Sequence, residues 1–342
     1  MAPRRTSTLW RTQNFLRRTT PIERLIARSG LDPSDVVYDI GAGAGVLTAL
    51  LARRVGRVIA IEKDEALVRQ LRRRFADRPN VTVRHADFME YRLPRAPYKV
   101  VANPPFDITA AVVTKLTSAA TPPDDVFLAL QTEAADRYCG RPRETLASLL
   151  LAPFFEATIV HRFRSEDFVP IPGVDVVMLR LRKRGPPLVV GHQHRQLYRD
   201  FVVAGFTAWR PSIGGAFARR LGSRVTHRLL AAVELDPDRR PSDVPFAMWL
   251  RLFETFSHLP TAILGRVAGA EDRLSRQQRR LEKRHRTRVP RDDLIAPLRR
   301  QPHEIADAFD DALTREYAGE RSRPWVVSRT HELADRHLAA VR

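Results

Sequence analysis

The sequence predicts an α/β fold: a mostly parallel sheet with flanking helices, then a small all-helical C-terminal domain and a basic C-terminal extension. Three observations predict it. Between residues 30 and 185, short β-branched runs alternate with stretches of helical apolar spacing, which is the pattern of a parallel sheet. A glycine-rich turn joins the first of these runs to the helix after it, as in βαβ units. From 194 to 257 the apolar residues recur only at helical spacing, for instance Tyr198, Phe201, Val202 and Phe206, then Phe246, Trp249, Leu250, Phe253 and Phe256.

Residues 1–20 form a basic, irregular N-terminal arm with Arg4, Arg5, Arg11, Arg17 and Arg18. Thr20-Pro21-Ile22-Glu23 has the composition of a helix start, and Leu25 and Ile26 begin its apolar face. Val36–Ile40 reads as a buried strand, followed at once by Gly41-Ala42-Gly43-Ala44-Gly45 and a helix over Val46–Val55. The next strand, Arg57–Ile61, ends in Glu62, about 20 residues beyond the first glycine, where such folds place an acid that grips ribose hydroxyls. Val81–Phe88 is a strand whose end carries Asp87, and Tyr98–Ala102 delivers Asn103. Phe127–Gln131 reads as a fifth strand. Ala157–Phe163 and Val174–Leu181 form a terminal pair joined through a Pro-containing loop and ending in an antiparallel edge. Arg184-Gly185-Pro186-Pro187 marks a boundary. The expected organisation is an arm over 1–20, a sheet-bearing domain over 21–185, a helical domain over 190–260 and a partly ordered extension over 261–342.

Gly41, Glu62, Asp87 and Asn103 thus stand at the carboxyl ends of four successive strands, the rim where open parallel sheets bind ligands. A pyrophosphate-binding G-x-G-x-x-G would need glycine at 46, where this chain has Val46. The G-x-G-x-G spacing present instead resembles the turn of S-adenosylmethionine (SAM) pockets. Asn103-Pro104-Pro105-Phe106 fits chemistry on an exocyclic nucleobase amine. That nitrogen is a poor nucleophile because its lone pair is delocalised into the ring. The Asn103 side-chain carbonyl and the Pro104 main-chain carbonyl can accept its two hydrogens, and Phe106 offers a flat apolar surface for the base. A loop made only for turning uses the same residue types.

With those residues in place, the chain resembles the ribosomal RNA adenine N6-methyltransferases, and within them the macrolide–lincosamide–streptogramin resistance (Erm-type) enzymes. The likeness runs through Thr12-Gln13-Asn14-Phe15-Leu16, Asp39–Gly45, Ile61-Glu62, Ala86-Asp87, Asn103–Phe106 and Asp167–Asp175. More weakly it continues through Tyr198–Phe201 and Trp249–Phe253, so that it covers about residues 8–260. The resemblance implies a Rossmann-like SAM-dependent methyltransferase sheet with SAM as cofactor, and N6-methylation of an adenine in 23S ribosomal RNA with macrolide-type resistance. It implies that Asn14, Leu16, Gly41, Gly43, Glu62, Asp87 and Asn103 line the cofactor, and that Asn103, Pro104 and Phe106 hold the adenine. Arg17, Arg18, Phe163 and Arg210 are the expected RNA contacts, with Arg219, Arg220 and Arg224 on the RNA-facing side of the helical domain. The family usually has an aliphatic residue after the Asn. Pro104 keeps the acceptor carbonyl but stiffens φ, and the Asn-Pro-Pro-aromatic form also serves other nucleobases. A 16S-type dimethylase, another nucleic-acid amino-methyltransferase and a non-catalytic RNA-binding relative remain as alternatives.

Composition agrees with a polyanionic partner: 58 Lys and Arg against 39 Asp and Glu leave a formal charge of +19. Genomic base composition explains the preference for Arg over Lys but not the excess over acids. Cys139 is the only cysteine, which excludes an intrachain disulfide and makes a thiolate metal site implausible; no metal is expected. No apolar core follows Arg4 and Arg5, and the longest apolar run, Leu146–Phe155, contains Pro153 and is too short to span a bilayer. A cytoplasmic monomer without membrane contact is the expectation. His192 and His194 read as loop residues, and Arg266–Arg291 as a basic segment, helical or disordered.

Overall fold

The computed structural model describes residues 15–16, 20–208 and 211–288. Seven strands form one sheet: β1 (Val36–Ile40), β2 (Arg57–Glu62), β3 (Val81–His85), β4 (Lys99–Ala102), β5 (Asp125–Gln131), β6 (Phe155–Arg162) and β7 (Val176–Lys183). Their order is β3-β2-β1-β4-β5-β7-β6, parallel as far as β5, with β7 antiparallel to both of its neighbours. The sequence reading of an antiparallel edge holds, with β6 outermost. Strand order runs outward in both directions from β1, so the crevice between the carboxyl ends of β1 and β4 is the switch point of the sheet.

Neighbouring residues along each strand point to opposite faces. Val37, Val58, Val101, Phe127 and Met178 bury one face beneath α1 (Thr20–Arg28) and α2 (Val46–Leu51). Tyr38, Ile59, Val100, Val126 and Leu179 bury the other beneath α4 (Thr109–Thr117), while α3 (Glu65–Arg74) follows β2. The Asp64 carboxylate starts α3 by accepting from the N–H groups of Ala66 at 2.8 Å and Leu67 at 3.0 Å. Helix α2 is shorter than the reading of Val46–Val55: Arg53 and Arg54 bond three residues back, to Leu50 and Leu51, and tighten the chain into a turn. Phe15–Leu16 pairs antiparallel with Phe168–Val169 in a separate two-stranded sheet.

Helices α5 (Thr132–Cys139) and α6 (Leu146–Leu151) lie between β5 and β6, and α7 (His192–Phe206), α8 (Ile213–Leu221), α9 (Ser223–Ala231), α10 (Phe246–Ser257), α11 (Thr261–Leu264) and α12 (Ala270–Arg288) follow the sheet. His192 and His194 lie in the first turn of α7, not in a loop; the apolar periodicity begins only at Leu197 and hides that polar turn. Phe201 centres the helical core, stacked on Phe217 and on Phe256, each at 4.7 Å, with Trp249 against its edge. Helix α6 joins this core through Leu149, whose carbonyl accepts from the buried Tyr198 hydroxyl at 2.7 Å. The described residues up to Leu274 form one compact unit, and a second begins at Ser275. Val267 and Ala270 are buried in the helical core, and the Asp200 carboxylate accepts from the N–H groups of Gly269 and Glu271, each at 2.9 Å. Residues 261–274, grouped with the extension in the sequence reading, therefore complete that core.

Candidate functional site

The turn after β1 places Gly41, Gly43 and Gly45 at φ of 71°, 56° and 80°. Three left-handed residues at every second position dictate the G-x-G-x-G spacing, because a Cβ strains this conformation. Gly45 has a second reason. A Cβ there would lie 2.7 Å from Leu71 Cδ2 and 2.8 Å from Phe75 Cε2. The turn is drawn tight by Glu62, which is 4% exposed. Its Oε2 accepts from Gly43 N–H at 2.8 Å, and its Oε1 from Lys63 N–H at 2.8 Å and Asp64 N–H at 2.9 Å. A carboxylate offers about four acceptor positions, so Glu62 shapes the turn and keeps capacity for a hydroxyl.

Asp87 follows β3, where the Ala86 N–H continues the ladder to the Glu62 carbonyl; the strand itself ends at His85 rather than Phe88. Asp87 Oδ1 accepts from Met89 N–H at 2.8 Å, and Oδ2 takes a charged hydrogen bond from Lys63 Nζ at 2.7 Å. The Lys63 ammonium holds the Asp87 carboxyl below the usual carboxylate range. The loop beyond Asp87 is fixed from α4. Lys115 Nζ donates to the carbonyls of Phe88, Met89 and Tyr91 at 2.7, 2.8 and 2.7 Å, and sits 5.0 Å from the Phe88 ring centroid.

β4 ends in buried Ala102, and the chain turns out through Asn103 and buried Pro104 into the short helical turn Phe106–Ile108. A Cβ built on Gly41 would lie 3.8 Å from Pro105 Cδ and 4.0 Å from Pro104 Cα. The glycine turn and the Asn-Pro-Pro-Phe tip therefore abut at the switch point of the sheet. Between them and the Asp87 loop opens a cavity of about 450 Å³. Gly41, Glu62 and Asp87 line it, with Lys63, Phe88 and Pro105. Gly43, Asn103, Pro104 and Phe106 stand beside it rather than on its wall. Half-buried Phe106 packs against the core beneath α1 and α2, and so does Phe163, whose ring meets His161 and Phe168 edge-on at 4.7 and 5.3 Å. Asn14, Arg17, Arg18 and Arg210 lie outside the described residues, and Leu16 is described only as strand backbone. Arg219, Arg220 and Arg224 are exposed.

A glycine turn abutting an Asn-Pro-Pro-Phe tip, with acids at the two neighbouring strand ends, is an arrangement that comparison with known proteins can place. Residues 10–258 match the family described as Ribosomal RNA adenine dimethylase. The chain belongs to this family. It is 31% identical over 242 residues to an rRNA adenine N-6-methyltransferase of Aeromicrobium erythreum, which covers 71% of each protein. It is 29% identical over 248 residues to a ribosomal RNA small subunit methyltransferase A of Dehalococcoides mccartyi, covering 70% of this chain and 85% of the relative. The crystal structure of the 23S rRNA methyltransferase ErmE superposes with a TM-score of 0.66 at 30% identity, over 72% of this chain and 100% of that one. The chain is thus an rRNA adenine N6-methyltransferase, an enzyme of the SAM-dependent type with ribosomal RNA as substrate.

The cavity suits that class of cofactor. Its volume is that of a small-molecule site, Ile61, Phe88 and Ile108 give it apolar walls, and its carboxylates match hydroxyl and amine donors. Among the described residues, no group of three or more His, Cys, Asp or Glu is arranged to hold a metal ion, and no helix is long and apolar enough to cross a membrane. Sequence reasoning missed Lys63, although it adjoins Glu62, and Lys115, which only the packing of α4 brings to the Asp87 loop. It also passed over Asp39, a buried acid beneath the glycine turn. Its Oδ2 accepts from the Thr48 hydroxyl at 2.6 Å, and its Oδ1 has no hydrogen-bond partner among the described residues.

Proposed function

We propose that this chain methylates the N6 of an adenine in 23S ribosomal RNA, once or twice, and thereby confers macrolide-type resistance. The observation that carries the reading is the contact between the glycine turn and the Asn103–Phe106 tip, which sets a cofactor cavity beside two amine acceptors. Similarity to ErmE over the whole of that crystallised chain favours the 23S target.

When bound, SAM supplies an electrophilic sulfonium methyl. Gly41 and Gly43 shape its seat, Glu62 accepts from its ribose and Asp87 from its adenine amine, with Asn14, Leu16 and Asn103 completing the pocket by family resemblance. Lys63 keeps Asp87 ionised, so the carboxylate acts as acceptor. The target adenine leaves its stack and lies on Phe106, with Phe163 as a second wall. The Asn103 side-chain carbonyl and the Pro104 carbonyl accept the two amine hydrogens and draw the nitrogen toward tetrahedral geometry, which frees its lone pair to act as a nucleophile. The methylated ammonium is acidic and gives its proton to water, so the residues act by position and electrostatics. Arg17, Arg18 and Arg210 contact the RNA, and the enzyme works as a cytoplasmic monomer.

Asn103→Ala removes one acceptor, and turnover is expected to fall by about 10²-fold or more, while calorimetric SAM affinity, to which Asn103 is one contributor among several, falls far less. Wild-type turnover in that variant would overturn the assignment. A second reading, dimethylation of the small-subunit RNA, is favoured by the likeness to the Dehalococcoides mccartyi enzyme. Methyl incorporation into separated 16S and 23S RNA distinguishes the two.

A further inference from the structure

A second and larger depression lies away from the cofactor cavity, on the sheet face covered by α1. It is a groove of about 860 Å³ whose floor includes Leu25 and Phe127. Its walls carry Arg24 and Arg28 from α1, Arg162 at the end of β6, and Arg164 just beyond it. Arg24 and Arg28 are four residues apart and share one side of their helix. Neither of them, nor Arg162, takes part in an ion pair among the described residues, and all four arginines are exposed. Among the described residues, Arg164 pairs with the exposed Glu166, at 3.7 Å. Among the described residues, the one carboxylate on the lining is Asp167, which is buried and accepts from the Arg164 N–H at 2.9 Å. A fifth arginine, Arg180, is neutralised by a bidentate contact with Asp125 and spans the Phe127 ring at 5.2 Å, so it builds the floor.

The position of the groove identifies its occupant. Arg162 pairs in register with Val177, and Val177 with Leu130, so Arg162 stands at the same carboxyl-end rim as the glycine turn. The next residue, Phe163, packs on the core that also holds Phe106, Leu25 and Phe127. Both ends of α1, Thr20 and Arg28, line the groove, with Ser29 just beyond. Its length is therefore about 13 Å, at ~1.5 Å per helical residue. An exposed basic track that reaches the same carboxyl-end rim as the base-holding tip and runs down one face suits a phosphodiester backbone. Arginine forks grip phosphate oxygens without reading sequence.

We propose that this groove holds the backbone of the RNA strand flanking the target adenine, with Arg24, Arg28, Arg162 and Arg164 as phosphate contacts. The proposal rests on the methyltransferase reading for the identity of the strand.

The test uses the full chain carrying Arg24→Gln, Arg28→Gln, Arg162→Gln and Arg164→Gln. A control carries Arg53→Gln, Arg72→Gln, Arg73→Gln and Arg78→Gln, four exposed arginines elsewhere on the same domain. Affinity for a protein-free 23S rRNA transcript is measured across a salt series. The groove variant is expected to lose about 3 units of the slope of log affinity against log salt, about 0.7 for each of the four phosphate contacts on a single strand. The control is expected to stay within about one unit. SAM affinity and melting temperature serve as the folding check. Should the fourfold variant fail to fold, Arg24→Gln with Arg28→Gln on α1 is expected to give about half the effect. An unchanged slope in the groove variant, or an equal loss in the control, overturns the proposal. Absence of methylation by the wild-type chain on any RNA overturns the methyltransferase reading instead, and the groove is then judged on the slope alone.

Discussion

Asp39 gives a prediction whose sign and size follow from its surroundings. Asp39 is 1% exposed, its Oδ2 accepts from the Thr48 hydroxyl, and its Oδ1 has no partner among the described residues. Burial pushes its pKa from 3.8 up to about 7; the nearby Glu62 carboxylate adds to the rise, and the Thr48 hydroxyl opposes it. Between these two values the folded protein keeps a proton that the unfolded chain has released. Rising pH therefore favours unfolding, by up to about 1.4 kcal/mol per pH unit, and the loss approaches about 4 kcal/mol above pH 7. From pH 5 to pH 7 the expected share is about 2–3 kcal/mol. Asn in this position keeps the size and the acceptor for Thr48 but cannot ionise. Urea unfolding of the wild type and Asp39→Asn at pH 5, 6 and 7 isolates the effect, since all other titrating groups are common to both. The wild type is expected to lose stability relative to the variant as pH rises. Parallel stability curves would refute the buried, protonated acid.

Two other substitutions probe the turn and the loop around the cavity. Gly45→Ala meets both a left-handed φ and the Leu71 and Phe75 side chains. It should destabilise the fold by about 1–3 kcal/mol and weaken SAM binding in calorimetry. Lys115→Met strips the donors from three loop carbonyls while filling much of the same space. The variant is expected to lose about 1–3 kcal/mol and to raise the KM for SAM with kcat largely retained, as steady-state kinetics would show.

The strands and their rim were legible because each is a short apolar run ended by a residue of distinctive chemistry. Gly41, Glu62, Asp87 and Asn103 need only strand ends in sequence order to come together, and β1 to β4 supply them. The glycine spacing was legible too, although its physical reason, three left-handed residues and the pressure of Leu71 and Phe75 on Gly45, belongs to the folded chain. Long-range pairing was not legible. Lys63 and Asp87, or Lys115 and the Phe88 carbonyl, meet across more than twenty residues with no pattern to announce them. The charge excess promised a polyanion surface, yet Arg24 and Arg162 come from segments far apart in sequence, so only the fold sets them along one groove. The polar first turn of α7 and the early end of α2 escaped for a local reason. Apolar periodicity marks the buried part of a helix and says little about its ends.

The most direct measurement is mass spectrometry of nucleosides from 23S and 16S ribosomal RNA, each purified after incubation with the chain and isotopically labelled SAM. Labelled N6-methylated adenosine confined to 23S RNA, and lost with Asn103→Ala, is the expected result. Label on a different base, on 16S RNA, or undiminished in the Asn103→Ala variant would contradict the account.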